Sequence, residues 1–320
     1  MEQRIIGESV GLTFCLARPE DYGAVMDISD NIYGGNDYLP HHYHSWMTEP
    51  NRVVILAKRE EKLVALVSGL VVDEGHTVVM EGLRVCPSER GKGVARILQR
   101  CVDQYIRELY PSVKVKRLSR ENDHRPEKLA KFTVLGSRAI LSICGKADHF
   151  DDFISALKLK IDPEPKLMVL DGKEQLRGLL LDSELSSRLQ LPGGAIIIDW
   201  QPLQQIENNL EVFWRRNLTW LADSFVSPTF LSIEMSPYPI PYNGGSFRFN
   251  IDMFGTSQAL ARLALVSHLE RVRGKVQGVG WIHVSIHKSL WKGMREYCEG
   301  MTGELTFTAY REQLFLEYQF

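Results

Sequence analysis

One stretch of this 320-residue chain constrains its fold more than any other: Thr77 to Leu109 reads as a strand, a basic glycine turn and a long helix. Thr77–Val85 is apolar and β-branched, as a strand requires. Arg90-Gly91-Lys92-Gly93 forms the turn. Val94, Ile97, Leu98, Cys101, Val102, Tyr105 and Leu109 then recur at the i, i+3, i+4, i+7 spacing of one buried helical stripe. The helix is predicted over Val94–Leu109, with Pro111 stopping it.

The residues in front extend the same alternation. Leu12–Ala17 predicts a strand, and Pro19-Glu20-Asp21 opens a helix running to about Asn31. Arg52–Arg59 and Leu63–Val72 predict two strands turned at Glu60-Glu61-Lys62. After Pro111 come a strand at Val113–Leu118, a helix at Pro126–Leu135 and a strand at Arg138–Cys144. Residues 145–166 show no clear period and contain Asp162-Pro163-Glu164-Pro165, which favours extended backbone. We place a domain boundary there, giving residues 1–150 and 151–320. The second half repeats the grammar: strands at Ala195–Trp200, Thr229–Met235, Phe247–Phe254, Trp281–Ile286, Glu304–Tyr310 and Gln313–Tyr318, with helices at Thr256–Val272 and Ser289–Cys298. An internal duplication of architecture is the expectation.

The glycine turn carries the chemistry. Gly91 and Gly93 let backbone approach a ligand closely. Unpaired N–H groups at the start of the Val94 helix make an anion site, reinforced by the helix dipole. Arg90 and Lys92 add positive charge, so a pyrophosphate is the natural guest. The alternative is a plain strand–helix turn, which a lone Gly-x-Gly would favour; the strand, helix and two cations tilt the reading to phosphate. No Gly-Lys-Ser/Thr follows a four-residue spacer, and Val94, Ala95 and Arg96 follow Gly93, so neither the P-loop nor the dinucleotide fingerprint is present.

Arg90-Gly91-Lys92-Gly93-Val94-Ala95 resembles the R/Q-x-x-G-x-G/A signature of the GNAT superfamily of acyl-CoA-dependent N-acetyltransferases. Leu83-Arg84-Val85-x-Pro87 is similar to the strand that leads into it. Residues 12–144 fit that fold, an α/β class built on a mixed sheet. A closer likeness runs through Asn31 to Pro40, Ser45-Trp46, Val79 to Val85, Leu191-Pro192-Gly193-Gly194, Asp199-Trp200-Gln201-Pro202 and Asn250-Ile251-Asp252-x-Phe254-Gly255. Those motifs resemble the vertebrate histidine N-acetyltransferase family and its N-acetyltransferase relative, over nearly the whole chain.

The resemblance implies acetyl-CoA as co-substrate, no metal, and direct attack by an amine in a ternary complex. Pantetheine would lie on backbone at Leu83, Arg84 and Val85, with pyrophosphate on Arg90, Gly91, Lys92, Gly93, Val94 and Ala95. A strand N–H near Leu83 would face the developing oxyanion. Glu81, counted onto the same strand face as Leu83 and Val85, is the candidate base, with substrate binding alone as the alternative. Where the family often carries an acidic tyrosine, this chain reads Lys128-Leu129-Ala130-Lys131-Phe132-Thr133. Tyr33, Asp37, Tyr38 and Tyr43 are acceptor-side candidates, suited to stack on an imidazole and bond it through Asp37; packed aromatics in a structural turn are the alternative. Arg84 and Arg248 are candidates for the cation that an amino-acid carboxylate needs. Around Gly255-Thr256-Ser257-Gln258 the second half has no basic residue. It is therefore expected to be a degenerate GNAT-like copy that completes the acceptor site without holding cofactor.

Bulk properties narrow the partners. A net charge of −2 offers no global basic surface for nucleic acid, so a small molecule or peptide is the expected partner, and the resemblance implies an amino acid such as histidine, with a protein N-terminus, a polyamine or an arylalkylamine as alternatives. Five scattered cysteines without a C-x-x-C argue against a disulfide framework and a zinc site. His41-His42-x-His44 reads as a polar loop rather than a metal site. No apolar run approaches the ~18 residues of a membrane span, and the first residues lack a signal h-region. A cytoplasmic setting is the expectation.

Overall fold

A computed structural model describes residues 3–29, 31–242, 244–299 and 305–320. The chain divides into two compact units. One comprises Met1–Leu118, Ile240–Asn243 and Tyr318–Phe320; the other comprises Ser119–Pro239 and Gly244–Glu317.

The first unit runs β1 (Ile5–Ser9), β2 (Leu12–Leu16), α1 (Tyr22–Asp27), α2 (Leu39–Trp46), β3 (Arg52–Arg59), β4 (Lys62–Val72), β5 (Thr77–Val85), α3 (Val94–Leu109) and β6 (Val115–Glu121). Its strands lie in sequence order. Neighbours are antiparallel up to β5. β5 and β6 are parallel and pair only over Thr77–Val79 with Val115–Arg117. Beyond Val79 the two strands part, leaving that edge of β5 outside the ladder.

Each face of this sheet carries its own core. Val94, Leu98, Val102 and Ile106 of α3 pack on Phe14, Ile55, Val67 and Val78. On the other face Val25, Leu39, Tyr43 and Trp46 of α1 and α2 cover Leu56 and Leu66. Leu109, expected in the stripe, is 48% exposed, because Ile106 takes the buried position one turn earlier.

The second unit runs α4 (Pro126–Leu129), β7 (Thr133–Lys146), α5 (Ala147–Lys158), β8 (Met168–Leu170), α6 (Lys173–Leu180), α7 (Leu185–Leu189), β9 (Ala195–Ile198), β10 (Gln201–Gln204), α8 (Leu210–Trp214), β11 (Leu218–Ala222), β12 (Leu231–Ile240), β13 (Ser246–Phe254), α9 (Gln258–Val272), β14 (Val279–Ile286), α10 (Trp291–Cys298), β15 (Thr306–Phe307) and β16 (Arg311–Gln319). Its main sheet has the order β16-β7-β14-β13-β12-β11-β8, and β9 and β10 form a separate hairpin. β13 and β14 are parallel, as β5 and β6 are in the first unit. Helices α5, α9 and α10 cover one face. The other face is polar: Arg138 pairs with Asp252 at 2.7 Å, and His283 Nδ1 lies 2.8 Å from Ser142 Oγ.

Several sequence expectations change. The units do not divide within residues 145–166, because β7 pairs with β14 along Ala139–Lys146 and so joins the second sheet. That segment also contains α5, whose Phe150, Phe153, Ile154 and Leu157 form a buried stripe. The helix expected to reach Leu135 stops at Leu129, since Thr133 already enters β7. His41, His42 and His44 sit on α2 rather than a loop, with Leu39, Tyr43 and Trp46 as its buried i, i+4, i+7 stripe. α1 ends at Asp27, short of the expected Asn31. The strand expected at Glu304–Tyr310 reduces to Thr306–Phe307; Glu304 lies outside the described residues. No helix among the described residues is long and apolar enough to cross a membrane.

Two outcomes follow. Phe153 is fully buried, so Phe153→Ala is expected to cost about 3–5 kcal/mol in urea unfolding; a surface linker would show almost none. Burial, then Arg248 and Arg311, push the His283 imidazole pKa well below its ordinary value. Below about pH 6.5 the unfolded imidazole binds a proton that the folded one does not. Stability is therefore expected to fall as pH drops through that value, and denaturant midpoints of His283→Asn to fall less steeply.

Candidate functional site

The site begins with a β-bulge. Leu66 pairs with Arg84 and Ser68 with Glu81, so Gly82 and Leu83 together oppose Val67. Gly82 is at φ +72°, and a Cβ there would meet the Trp46 ring at 2.7 Å. Only glycine meets both demands. The extra residue shifts the alternation. Leu66 and Ser68 share a face of β4, so their partners Glu81 and Arg84 share a face of β5, toward α1 and α2. Val85, opposite Ala65, faces α3. The expectation that Glu81 shares a face with Leu83 and Val85 is therefore corrected: across the bulge, Glu81 shares its face with Arg84.

Glu81 is held by Arg52, whose Nη1 lies 2.5 Å from Glu81 Oε1. Arg52 also binds Glu49 and Ser68 Oγ and lies 4.7 Å over the Trp46 ring. Arg84 is 1% exposed and its Nη2 lies 2.5 Å from Asp37 Oδ1. Its guanidinium sits 5.0 Å from the Tyr38 ring and 5.6 Å from the Tyr33 ring. Burial alone would lower the Arg84 pKa; Tyr38 and Asp37 more than offset it and leave it raised.

The acceptor-side candidates separate. Asp37 is fully buried and engaged by Arg84, and its Oδ1 also accepts from the Leu39 amide at 3.1 Å. Tyr43 is fully buried, its hydroxyl donating to the Arg18 carbonyl at 2.7 Å. Both serve the packing of this face, because a hydrophobic layer under α2 leaves them no opening. Tyr33 is 64% exposed and stacks on Tyr38 at 6.1 Å. Arg248 is also buried, bonded to Asn250 at 3.0 Å and 3.7 Å from Asp199, so neither expected carboxylate-binding arginine is a free cation.

The turn itself is open. Gly91 and Gly93 lie at φ +79° and +81°, and a Cβ at either would meet nothing within 4 Å. Gly93 is the N-cap of α3, and no side chain caps the helix. Arg96 and Ile97 amides return to the Gly93 carbonyl, while those of Gly93, Val94 and Ala95 have no backbone acceptor among the described residues. Arg90 Nε donates to the Val85 carbonyl at 3.0 Å. Lys92 pairs with Glu89 at 2.9 Å, so part of its charge is answered locally. Leu83 is 37% exposed on the bulge.

The equivalent place in the second unit is closed. β13 leads through Gly255 to α9, and there the Ser257 side chain caps the helix by accepting from the Leu260 amide at 3.4 Å. A Cβ at Gly255 would lie 2.4 Å from the Thr229 carbonyl oxygen. The second helix start is packed and self-capped where the first is bare.

A strand that parts from its neighbour, a bulge on that strand, and an uncapped glycine turn into a long helix together define the GNAT class of N-acetyltransferase. Residues 23–124 match the acetyltransferase (GNAT) family model, and residues 163–287 match the histidine N-acetyltransferase C-terminal model. Over 315 residues the chain is 35% identical to histidine N-acetyltransferase of Oreochromis niloticus, covering 96% of this chain and 93% of that protein. It is 37% identical over 319 residues to human Probable N-acetyltransferase 16, covering 97% and 86%. In structure it is similar to a tandem GNAT protein from the clavulanic acid biosynthesis pathway, with TM-score 0.58, 14% identity and 96% and 98% of the chains covered. It is likewise similar to a GCN5-related N-acetyltransferase from Sphaerobacter thermophilus, with TM-score 0.53, 11% identity and 98% and 97% covered. The chain belongs to the histidine N-acetyltransferase family within the GNAT acetyltransferases.

The buried Arg84–Asp37 pair supports the bulge from behind. Asp37→Leu leaves a buried guanidinium unanswered and is expected to cost about 3–5 kcal/mol. The double variant Asp37→Leu/Arg84→Met should recover most of that loss in the same denaturation assay.

Proposed function

We propose that the protein transfers acetyl from acetyl-CoA to the α-amino group of a free amino acid, with L-histidine the preferred acceptor, by direct attack in a ternary complex. The observation that carries this reading is the bare start of α3. Unpaired amides and two left-handed glycines face open space beside the bulged strand, as a diphosphate requires. Relatives named histidine N-acetyltransferase over nearly the full chain support the acceptor.

In this reading the pyrophosphate rests on the turn from Arg90 to Ala95 and is held by the amides of Gly93, Val94 and Ala95, with Arg90 and Lys92 adding charge. The pantetheine arm follows the β5 edge at Leu83, Arg84 and Val85 that β6 leaves unpaired. Glu81 takes a proton from the acceptor ammonium, directly or through water, so that the amine has a lone pair to attack with. Arg52 fixes its position. The exposed Tyr33 ring, backed by Tyr38, offers a flat surface for an imidazole. Asp37, Tyr43 and the Arg84 side chain act by holding this surface in place. Five free cysteines suit a reducing compartment such as the cytosol.

The test is thiol release from acetyl-CoA across the twenty amino acids, with turnover expected and L-histidine fastest. No release with any acceptor would overturn the reading. Glu81→Gln is expected to lower kcat about 10²- to 10³-fold while acetyl-CoA binding, read by calorimetry, persists. Gly93→Val places a branched side chain in the turn and is expected to raise the KM for acetyl-CoA at least tenfold.

A further inference from the structure

Of the two bulge amides, those of Gly82 and Leu83, the first is already engaged by a side chain. Gly82 N–H donates to the Tyr38 hydroxyl oxygen at 3.2 Å. A phenol oxygen that accepts still has its own proton to give, and among the described residues that proton meets no acceptor. The ring is only half-buried. It is fixed by Tyr33 stacked at 6.1 Å, by Trp46 edge-on at 6.3 Å and by the Arg84 guanidinium at 5.0 Å. The hydroxyl therefore stands at the bulge, on the face that carries Glu81, with its direction set.

We propose that the Tyr38 hydroxyl donates a hydrogen bond to the thioester carbonyl oxygen as that oxygen gains negative charge, so that the Gly82 amide acts on the substrate through this side chain. This rests on the acetyl-transfer reading above. As the amine nitrogen bonds to the carbonyl carbon, the carbonyl π pair moves onto oxygen, where Tyr38 stabilises it. The pair returns as the C–S bond breaks, and sulfur leaves with its bonding electrons. Glu81 takes the ammonium's first proton and passes it to solvent, the nitrogen loses its second proton after the C–N bond forms, a proton from solvent reaches the thiolate, and the phenol keeps its own proton throughout.

Two features suit the phenol to this task. The Gly82 amide polarises it from behind, which strengthens its outward bond. Burial, against the pull of Arg84 and with Tyr33, Glu81 and Asp37 adding to it, raises the Tyr38 pKa well above its ordinary value. It therefore stays a neutral donor across the working range.

Tyr38→Phe keeps the ring contacts and removes only the donor. It is expected to lower kcat about 10²-fold, the usual effect of losing one oxyanion donor, with the acetyl-CoA KM changed less than threefold. With 3-fluorotyrosine at position 38, a more acidic phenol and so a stronger donor that is still neutral near pH 7, kcat at that pH should rise about twofold or more. Wild-type turnover with an unchanged Y38F kcat, or a loss confined to KM, overturns the proposal. So does a fluorotyrosine enzyme whose kcat near pH 7 is unchanged or lower, which decides the matter alone if Y38F fails to fold. A wild type without turnover overturns the acetyl-transfer reading, and this proposal with it.

Discussion

The contact between Trp46 and Gly82 is the constraint around which the first unit is arranged. An indole packed against a strand leaves room there for no side chain, and the strand answers with a left-handed glycine. The bulge that results turns Glu81 and Arg84 to the same side of β5. Each is then met by a partner from the segment before α2 or from β3, one strand beyond the neighbouring β4. Arg52 binds Glu81 and lies over the same indole, while Asp37 binds Arg84 between two tyrosine rings. Buried ion pairs of this kind contribute little net stability compared with apolar packing. What they supply is position: four charged groups close to one bulge, each with a single arrangement.

The two units repeat one architecture with different uses for it. In both, a strand pairs in parallel with the strand beyond its helix. In the first, the pairing stops after three residues and the helix begins at an uncapped glycine. In the second, it runs from Ser246 to Asp252, and a serine closes the helix start. A long parallel ladder leaves no free strand edge, and a capped helix leaves fewer free amides. The second unit thus differs from the first at both places that the proposed reading gives to the cofactor.

Much of this was legible in the sequence where a pattern is local. β3, β5 and α3 occupy the predicted residues because alternation, helical period and the glycine turn agree there. α5 was missed although Phe150, Phe153, Ile154 and Leu157 carry its period; the nearby Asp-Pro-Glu-Pro drew attention away. α2 was hidden by Pro40 and three histidines, although proline is tolerated in a first helical turn. The bulge had a signal too, since a lone glycine inside a strand pattern often marks one. The partners of Arg84 and Glu81 had none. Asp37 lies 47 residues from Arg84 in sequence, and no local spacing encodes such a meeting. Asp37 and Tyr43, acceptor-side candidates by sequence, likewise make contacts that only the fold brings together.

The bare start of α3 has a mechanical side. A helix that closes its own first turn, as α9 does with Ser257, holds its end together with groups always present. α3 has no such group; in the proposed reading an outside anion takes that task, and the order of its first turn is borrowed. Whatever occupies the turn between Arg90 and Ala95 stiffens the start of the helix and, through the Arg90–Val85 bond, the end of the bulged strand. Arrival of the first ligand would then tighten the surface that receives the second, and the order in which two substrates bind would be written into the lack of one hydroxyl.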